Sequence, residues 1–398
     1  MPSFRQLFLE HVGQTSPSPL LFEVTRAEGC FLYGPSGENY LDLISGVCVS
    51  NTGHGNPEVI SAVKEQTDAY MHVMVYGEVI QSPQVQYASL LASLLPPSLQ
   101  SVFFVNSGSE AVEGGIKLAR RYTGRTEIVY FRNAYHGSTT GALSVQGAET
   151  YRNAFRPLMP GTVMAEFNDP AAADLIGNDT AAVIVEPLQA EAGVIEPDGP
   201  FLDLLREKCT RTGALLIFDE IQTGFGRLGS LFALDKYNVV PDILLLAKAL
   251  GGGMPLGAFV SSVEIMSSLT VNPVLGHITT FGGHPVCCAA GKASLQYLVK
   301  NNLAADAERK GNLFRSLLRH PLISEVRGAG LLLAVRIKDK DLIQNIYLRA
   351  PEHGLLLDSF LFCDDAFRIS PSLTITDSEI VLACQRIDSL LNSISAGN

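Results

Sequence analysis

SVFFVNSGSEAVEGGIKLARR, residues 101–121, changes character in its middle, and that change decides the fold class. An apolar run reads as a strand, Ser107-Gly108-Ser109 as a turn, and the sequence from about Glu110 onward as a helix. From about residue 50 to 290 the same alternation of short apolar runs and amphipathic helical segments recurs, the pattern of a mainly parallel sheet with helices on both faces. Further strands are expected at Ile128–Phe131, Ala182–Val185, Leu215–Phe218, Ile243–Leu246 and Ala258–Ser261, besides Val102–Val105. Each is followed by polar or glycine-containing sequence. Open α/β sheets bind ligands at the carboxyl ends of their strands, so motifs far apart in the chain can meet there. After about residue 290 the pattern shifts to helices around LLLAVRI and a late FRISPSLTIT, a smaller α+β unit. FLYGPSGENYLDL near the start reads as a hairpin that joins it. The expected division is a large unit of residues 46–290, with 1–45 and 291–398 forming the small one.

Composition narrows the class. A chain of 398 residues with 46% hydrophobic and 17% charged residues is long enough for two or three domains and has the balance of a compact enzyme. The net charge of −11 comes without any run of Lys or Arg, which argues against nucleic acid or an anionic membrane as a partner. The seven cysteines are odd in number, scattered and free of metal-ligand spacing, as expected of reduced thiols in a cytosol. The amino-terminal stretch lacks a signal peptide's basic start and apolar run, and no 18 consecutive apolar residues occur. Phe4, Leu7, Phe8, His11 and Val12 sit at helical spacing, predicting a short amphipathic helix laid on a neighbour. The expectation is a soluble, cytoplasmic protein.

Three motifs carry chemistry. At Ser107-Gly108-Ser109 the free N–H groups and positive end of the following helix suit a phosphate, with Gly108 permitting close approach; an ordinary N-cap is the alternative. In GALLIFDEIQTGFGRLG, Asp219 ends an apolar strand, where a carboxylate needs a cationic partner. A protonated pyridine nitrogen is such a partner, and a helix-capping Asp is the plainer reading. Glu220 beside it reads as structural. In PDILLLAKALGGGMPLGAF, Lys248 follows another strand and precedes a glycine cluster. It is either a sheet-edge lysine or a nucleophile that forms a Schiff base with an aldehyde.

The set, in the order SGSEA, DEIQTGFGR, LLLAKALGGG, closely resembles the class III aminotransferases, the family of ornithine, acetylornithine and 4-aminobutyrate aminotransferases. The resemblance runs from YLDLISGV to FRISPSLTIT, nearly the whole chain. It implies a fold type I α/β transferase with a mostly parallel seven-stranded sheet and a small α+β domain. It also implies a pyridoxal 5′-phosphate (PLP) cofactor and a homodimer with two sites at its interface. Carried over by position, Lys248 would bear PLP and shuttle the proton, Asp219 would bind the ring nitrogen and Gln222 the ring hydroxyl. Ser107, Gly108 and Ser109 would hold the phosphate. Tyr135 would stack on the ring, with His136 in the same aromatic-His-Gly turn, and Glu186 would support the pocket. Thr280, in HITTFGG, would reach the phosphate of the neighbouring subunit. Arg368 would bind a substrate carboxylate and Glu191 would pair with it as a switch.

Three positions depart from the pattern. Val47 stands in the substrate-binding segment where ornithine aminotransferases carry Tyr, and Ser138 where acetylornithine and 4-aminobutyrate enzymes commonly carry Arg. His284 replaces a usual Asn. Arg132, Arg152 and Arg156 are candidate replacements for the missing arginine. The implied reaction is transamination between a distal-amine donor, such as 4-aminobutyrate, acetylornithine or ornithine, and 2-oxoglutarate or pyruvate. The alternatives are an aminomutase, racemase or decarboxylase on the same apparatus, or a non-catalytic PLP-binding regulator.

Overall fold

A computed structural model describes residues 3–395. A seven-stranded sheet runs, in spatial order, Ser101–Val105, Gly257–Ser261, Ile243–Leu246, Leu215–Asp219, Thr180–Val185, Glu127–Phe131 and Thr162–Ala165. Gly257–Ser261 is antiparallel to both neighbours; the remaining pairings are parallel. Every residue of Thr180–Val185, Leu215–Asp219 and Ile243–Leu246 is buried, which is why these strands read as unbroken apolar runs. Thr162–Ala165 is a strand that the sequence pattern does not announce. It lies at the sheet edge, is short and leaves Met164 exposed, so it lacks the apolar run of the central strands.

The helix of the opening motif spans Gly108–Thr123 and begins two residues before the expected Glu110, because Ser107 caps it: its Oγ accepts from the Glu110 N–H at 3.2 Å. Gly124, in the left-handed region, ends it. Gly114 and Gly115 face the sheet so closely that a Cβ on Gly114 would lie 2.3 Å from the Phe259 ring. Close contact between helix and sheet fixes where the helix amino terminus points.

The hairpin forms from Phe31–Tyr33 and Asn39–Asp42, and its second strand pairs in parallel with Leu355–Leu356. Both ends of the chain therefore share one four-stranded sheet; Ile323–Ala329, Leu332–Ile337, Ala366–Ile369 and Asp358–Ser359 build another. Arg227 is fully buried and donates to the carbonyls of Leu331 at 2.9 Å and Pro371 at 2.6 Å, and to Asn51. One guanidinium thus joins the DEIQTGFGR segment to the amino- and carboxyl-terminal parts. Phe4–His11 forms the expected helix behind a Ser3 capping box, but none of its residues is buried within the subunit. Among the described residues no helix is long and apolar enough to cross a membrane.

Candidate active site

The carboxyl ends of the strands surround a cavity of about 520 Å³. Ser107, Gly108 and Ser109 line one side; Tyr135 and His136 lie next to them, and Glu186, Asp219, Gln222 and Lys248 complete the wall. These nine expected residues come from five loops that each follow a different strand. Val49, Asn106 and Thr223 also line the cavity, and the motifs do not single them out; Asn106 and Thr223 are chain neighbours of residues that they do.

Lys248 follows the strand Ile243–Leu246 in the left-handed backbone region, φ +50°, unusual for a residue with a side chain. Its Nζ donates to Gln222 Oε1 at 2.9 Å. Burial is the main influence on the ammonium and lowers its pKa from the usual lysine value, toward the free amine that attacks a carbonyl. Asp219 ends its strand with Oδ1 accepting from the Ile221 N–H at 3.0 Å and Oδ2 paired with His136 Nδ1 at 2.7 Å. Glu186 accepts from the Tyr135 N–H at 3.2 Å and the Ala190 N–H at 3.4 Å. Burial first, then the Asp219 charge, push its carboxyl well above the usual carboxylate range.

At the helix end, Ser109 Oγ accepts from the Ser138 N–H at 3.1 Å. Gly137 sits at φ +125°, where a Cβ would lie 2.1 Å from that oxygen, so only glycine lets the Tyr135–Ser138 turn close on the helix terminus. The opening between them offers backbone N–H groups and a positive dipole to an anion.

Several expected substrate residues lie beyond the cavity wall. Arg368 and Glu191 are both buried and pair at 2.6 Å, with Asp358 3.9 Å from the other end of the guanidinium. Burial works against the Arg368 charge, yet Glu191 and Asp358 outweigh it and leave the group above its usual range. Val47 does not line the cavity; Val49 does. Residues 45–48 all have positive φ, a single left-handed turn that the sequence pattern does not anticipate, and it carries Val47 aside. Thr280 is exposed and outside the cavity of its own subunit, while Thr279 beside it is held by Asn106 Nδ2 at 2.9 Å. His284 stacks on His72 with ring centroids 5.4 Å apart. Arg132 pairs with Glu166, Arg156 with Glu149, and Arg152 reaches Tyr130 and the Ser144 carbonyl. None of these arginines lines the cavity, so none replaces the arginine absent at Ser138.

A flat ring with an aldehyde and an anionic tail fits this donor set. Gln222 Nε2, Thr223 Oγ1 and His136 Nε2 are buried without partners, polar capacity left at the wall. Lys248 offers an amine, Asp219 a carboxylate and the capped helix an anion site. Over residues 12–391 the sequence matches the family described as aminotransferase class-III. The chain belongs to the class-III aminotransferases. It is 43% identical over 319 residues to an acetylornithine aminotransferase from Methanopyrus kandleri, covering 79% of this chain and 80% of that one. Its structure resembles the ornithine aminotransferase from Toxoplasma gondii ME49, with a TM-score of 0.91 and 31% identity, covering 99% of this chain and 96% of that chain. It also resembles an (S)-enantioselective omega-transaminase from Thermomicrobium roseum, with a TM-score of 0.90 and 29% identity over 98% of this chain and 97% of that chain. This class-III aminotransferase is a fold type I enzyme that uses PLP and transfers an amino group between an amino donor and a 2-oxo acid. Transamination is thereby favoured over the mutase, racemase, decarboxylase and regulatory readings.

Proposed function

We propose that Lys248 is the residue that carries PLP and moves the proton, and that the donor is an amino acid reacting through its distal amine, such as acetylornithine, ornithine or 4-aminobutyrate. The observation that carries this reading is the strand-end Lys248 amine, with lowered pKa, facing Gln222 and Asp219 across one cavity. When bound, the cofactor supplies an aldehyde for that amine and a ring that stores the electron pair released at the substrate carbon. The Lys248 amine would hold the cofactor's aldehyde and, with its lowered pKa, would serve as the base that takes and returns the proton of the donor carbon. Asp219, oriented by His136 and the Ile221 N–H, would hold the ring nitrogen protonated. Gln222 would serve the ring hydroxyl, Tyr135 would cover a ring face, and Ser107, Gly108 and Ser109 would hold the phosphate. Glu186 braces the Tyr135 turn by accepting from its N–H.

The Glu191–Arg368 pair fits a switch. Paired, its charge is neutralised for a donor whose reacting carbon bears no carboxylate; opened, it frees Arg368 for the carboxylate of 2-oxoglutarate or pyruvate. Residues 46–290 would then form the PLP-binding domain, with 1–45 and 291–398 as the small domain that carries Arg368. A homodimer completes the site, with Thr280 reaching the partner's phosphate. In support, Val274, Ile278 and Phe281 are exposed on Thr280's own segment, and Met71, Met74 and Ile80 on the segment whose His72 packs against Phe281. Seven free cysteines, six of them buried, suit the reducing cytoplasm as its location.

The test mixes the purified holoenzyme with a panel of amines, without acceptor, and follows the visible absorption band of the bound cofactor. Rapid loss of the band with a distal-amine donor, absent in Lys248→Ala, is expected. A band that no donor changes would overturn the assignment.

A further inference from the structure

Arg368 has more capacity than Glu191 uses. Only its NH2 nitrogen bonds Glu191, by one oxygen at 2.6 Å, while Nε and NH1 are buried without hydrogen-bond partners. The Phe360 ring covers the face of the guanidinium at 4.8 Å. The NH1 end points to Asp358, whose Oδ2 lies 3.9 Å away.

Asp358 holds that place by backbone geometry. It is the direct cross-strand partner of Arg368 in the antiparallel pairing of Asp358–Ser359 with Ala366–Ile369, so both side chains leave the sheet on one face. Its Oδ1 also accepts from the Ser359 N–H at 2.9 Å. Unlike Glu191, which sits on a loop after a strand, Asp358 has its backbone anchored opposite Arg368 by the strand pair.

The consequence concerns the acceptor. A carboxylate bound by a guanidinium spans two nitrogens. To take NH1 and NH2 together, a 2-oxo acid must replace Glu191 at NH2 and place its second oxygen on NH1, the nitrogen that faces Asp358. Glu191 uses only NH2, so the incoming carboxylate comes nearer to Asp358 than Glu191 does, and the repulsion is not cancelled by the exchange.

We propose that Asp358 is a specificity-determining residue, a strand-anchored carboxylate on the open edge of Arg368 that weakens the hold on acceptor carboxylates and favours substrates with no carboxylate on the reacting carbon. This rests on Arg368 being the acceptor's carboxylate partner. The experiment measures KM and kcat for pyruvate, for 2-oxoglutarate and for benzaldehyde, an uncharged acceptor, in the wild-type holoenzyme, Asp358→Asn, Asp358→Ser and Arg368→Ala. In either Asp358 variant the KM of the 2-oxo acids falls about three- to tenfold, while kcat and the benzaldehyde KM stay as in the wild type. A role confined to folding would move the charged and uncharged acceptors alike. If Arg368→Ala raises the 2-oxo acid KM but neither Asp358 variant lowers it, the proposal is wrong and the Arg368 reading stands. If Arg368→Ala leaves that KM unchanged, the Arg368 reading is wrong and the proposal falls with it.

Discussion

Asp219 and Glu220 are neighbours in the chain with opposite surroundings, because successive side chains at a strand end point to opposite faces. Asp219 lines the cavity, whereas Glu220 is fully buried and accepts from the Ala233 and Leu234 N–H groups at 2.5 and 2.8 Å. Burial outweighs those two hydrogen bonds and pushes the Glu220 carboxyl up to about 8. Its folded-state pKa is therefore above its unfolded one. The stability linked to it is present in full below the ordinary carboxylate pKa and is lost as pH rises through about 8. Thermal melts from pH 6 to 9 (roughly the range spanning this titration) should show Tm falling with pH in the wild type and a flatter profile in Glu220→Gln. The sequence reading of Glu220 as structural agrees with its contacts; its titration is not legible there, since desolvation depends on what packs around it.

At the scale of elements, two short features set the site. The Gly108–Thr123 helix can deliver its amino terminus to the cavity only because Gly114 lets it lie against Phe259. Gly114→Ala should destabilise the protein by about 1–3 kcal/mol through overpacking, and it should loosen the cofactor by tilting the helix end. Denaturant unfolding and the rate of PLP loss on dialysis would read both effects. The left-handed turn at residues 45–48 is held by Asp42, whose Oδ1 accepts from the Ile44 and Ser45 N–H groups at 3.0 and 2.8 Å. Val47 sits there at φ +61°, costly for a β-branched side chain. Val47→Asn should raise Tm by about 1–3 °C, since Asn tolerates this region far better. Nothing in ISGVCVSN predicts such a turn: only Gly46 has the freedom to enter it, and tertiary contacts must force the other three residues.

For the whole molecule, the segments around Thr280 matter most. Phe281 is 54% exposed within one subunit, beside a residue proposed to serve a second one. Phe281→Arg should shift the particle from dimer to monomer mass in light scattering and release PLP in the same preparation. A dimer that persists with PLP retained would refute the shared-site reading. The large sheet and the small sheets are joined by Arg227, and its removal would leave the carbonyls of Leu331 and Pro371 and the Asn51 amide oxygen without their donor.

Local order is written in the amino-acid sequence. Apolar runs, the Ser-Gly-Ser turn and the placement of Asp219 and Lys248 just past strands are properties of adjacent residues, and so the α/β class and these three motifs of the cavity wall follow from the sequence by itself. Tyr135, His136, Glu186 and Gln222 are reached through the family resemblance. The edge strand Thr162–Ala165 escapes because an edge needs no continuous apolar run. Pairings across the chain are decided by tertiary structure: His136 meets Asp219 across 83 positions unannounced, and Arg368 meets Glu191 across 177, a pair that only the family resemblance implies. The same holds for Asp358 opposite Arg368, and for the three arginines drawn away from the cavity. The reason is physical. Periodicity records what each residue's neighbours in sequence require, whereas burial and charge pairing depend on which distant strands the sheet sets side by side.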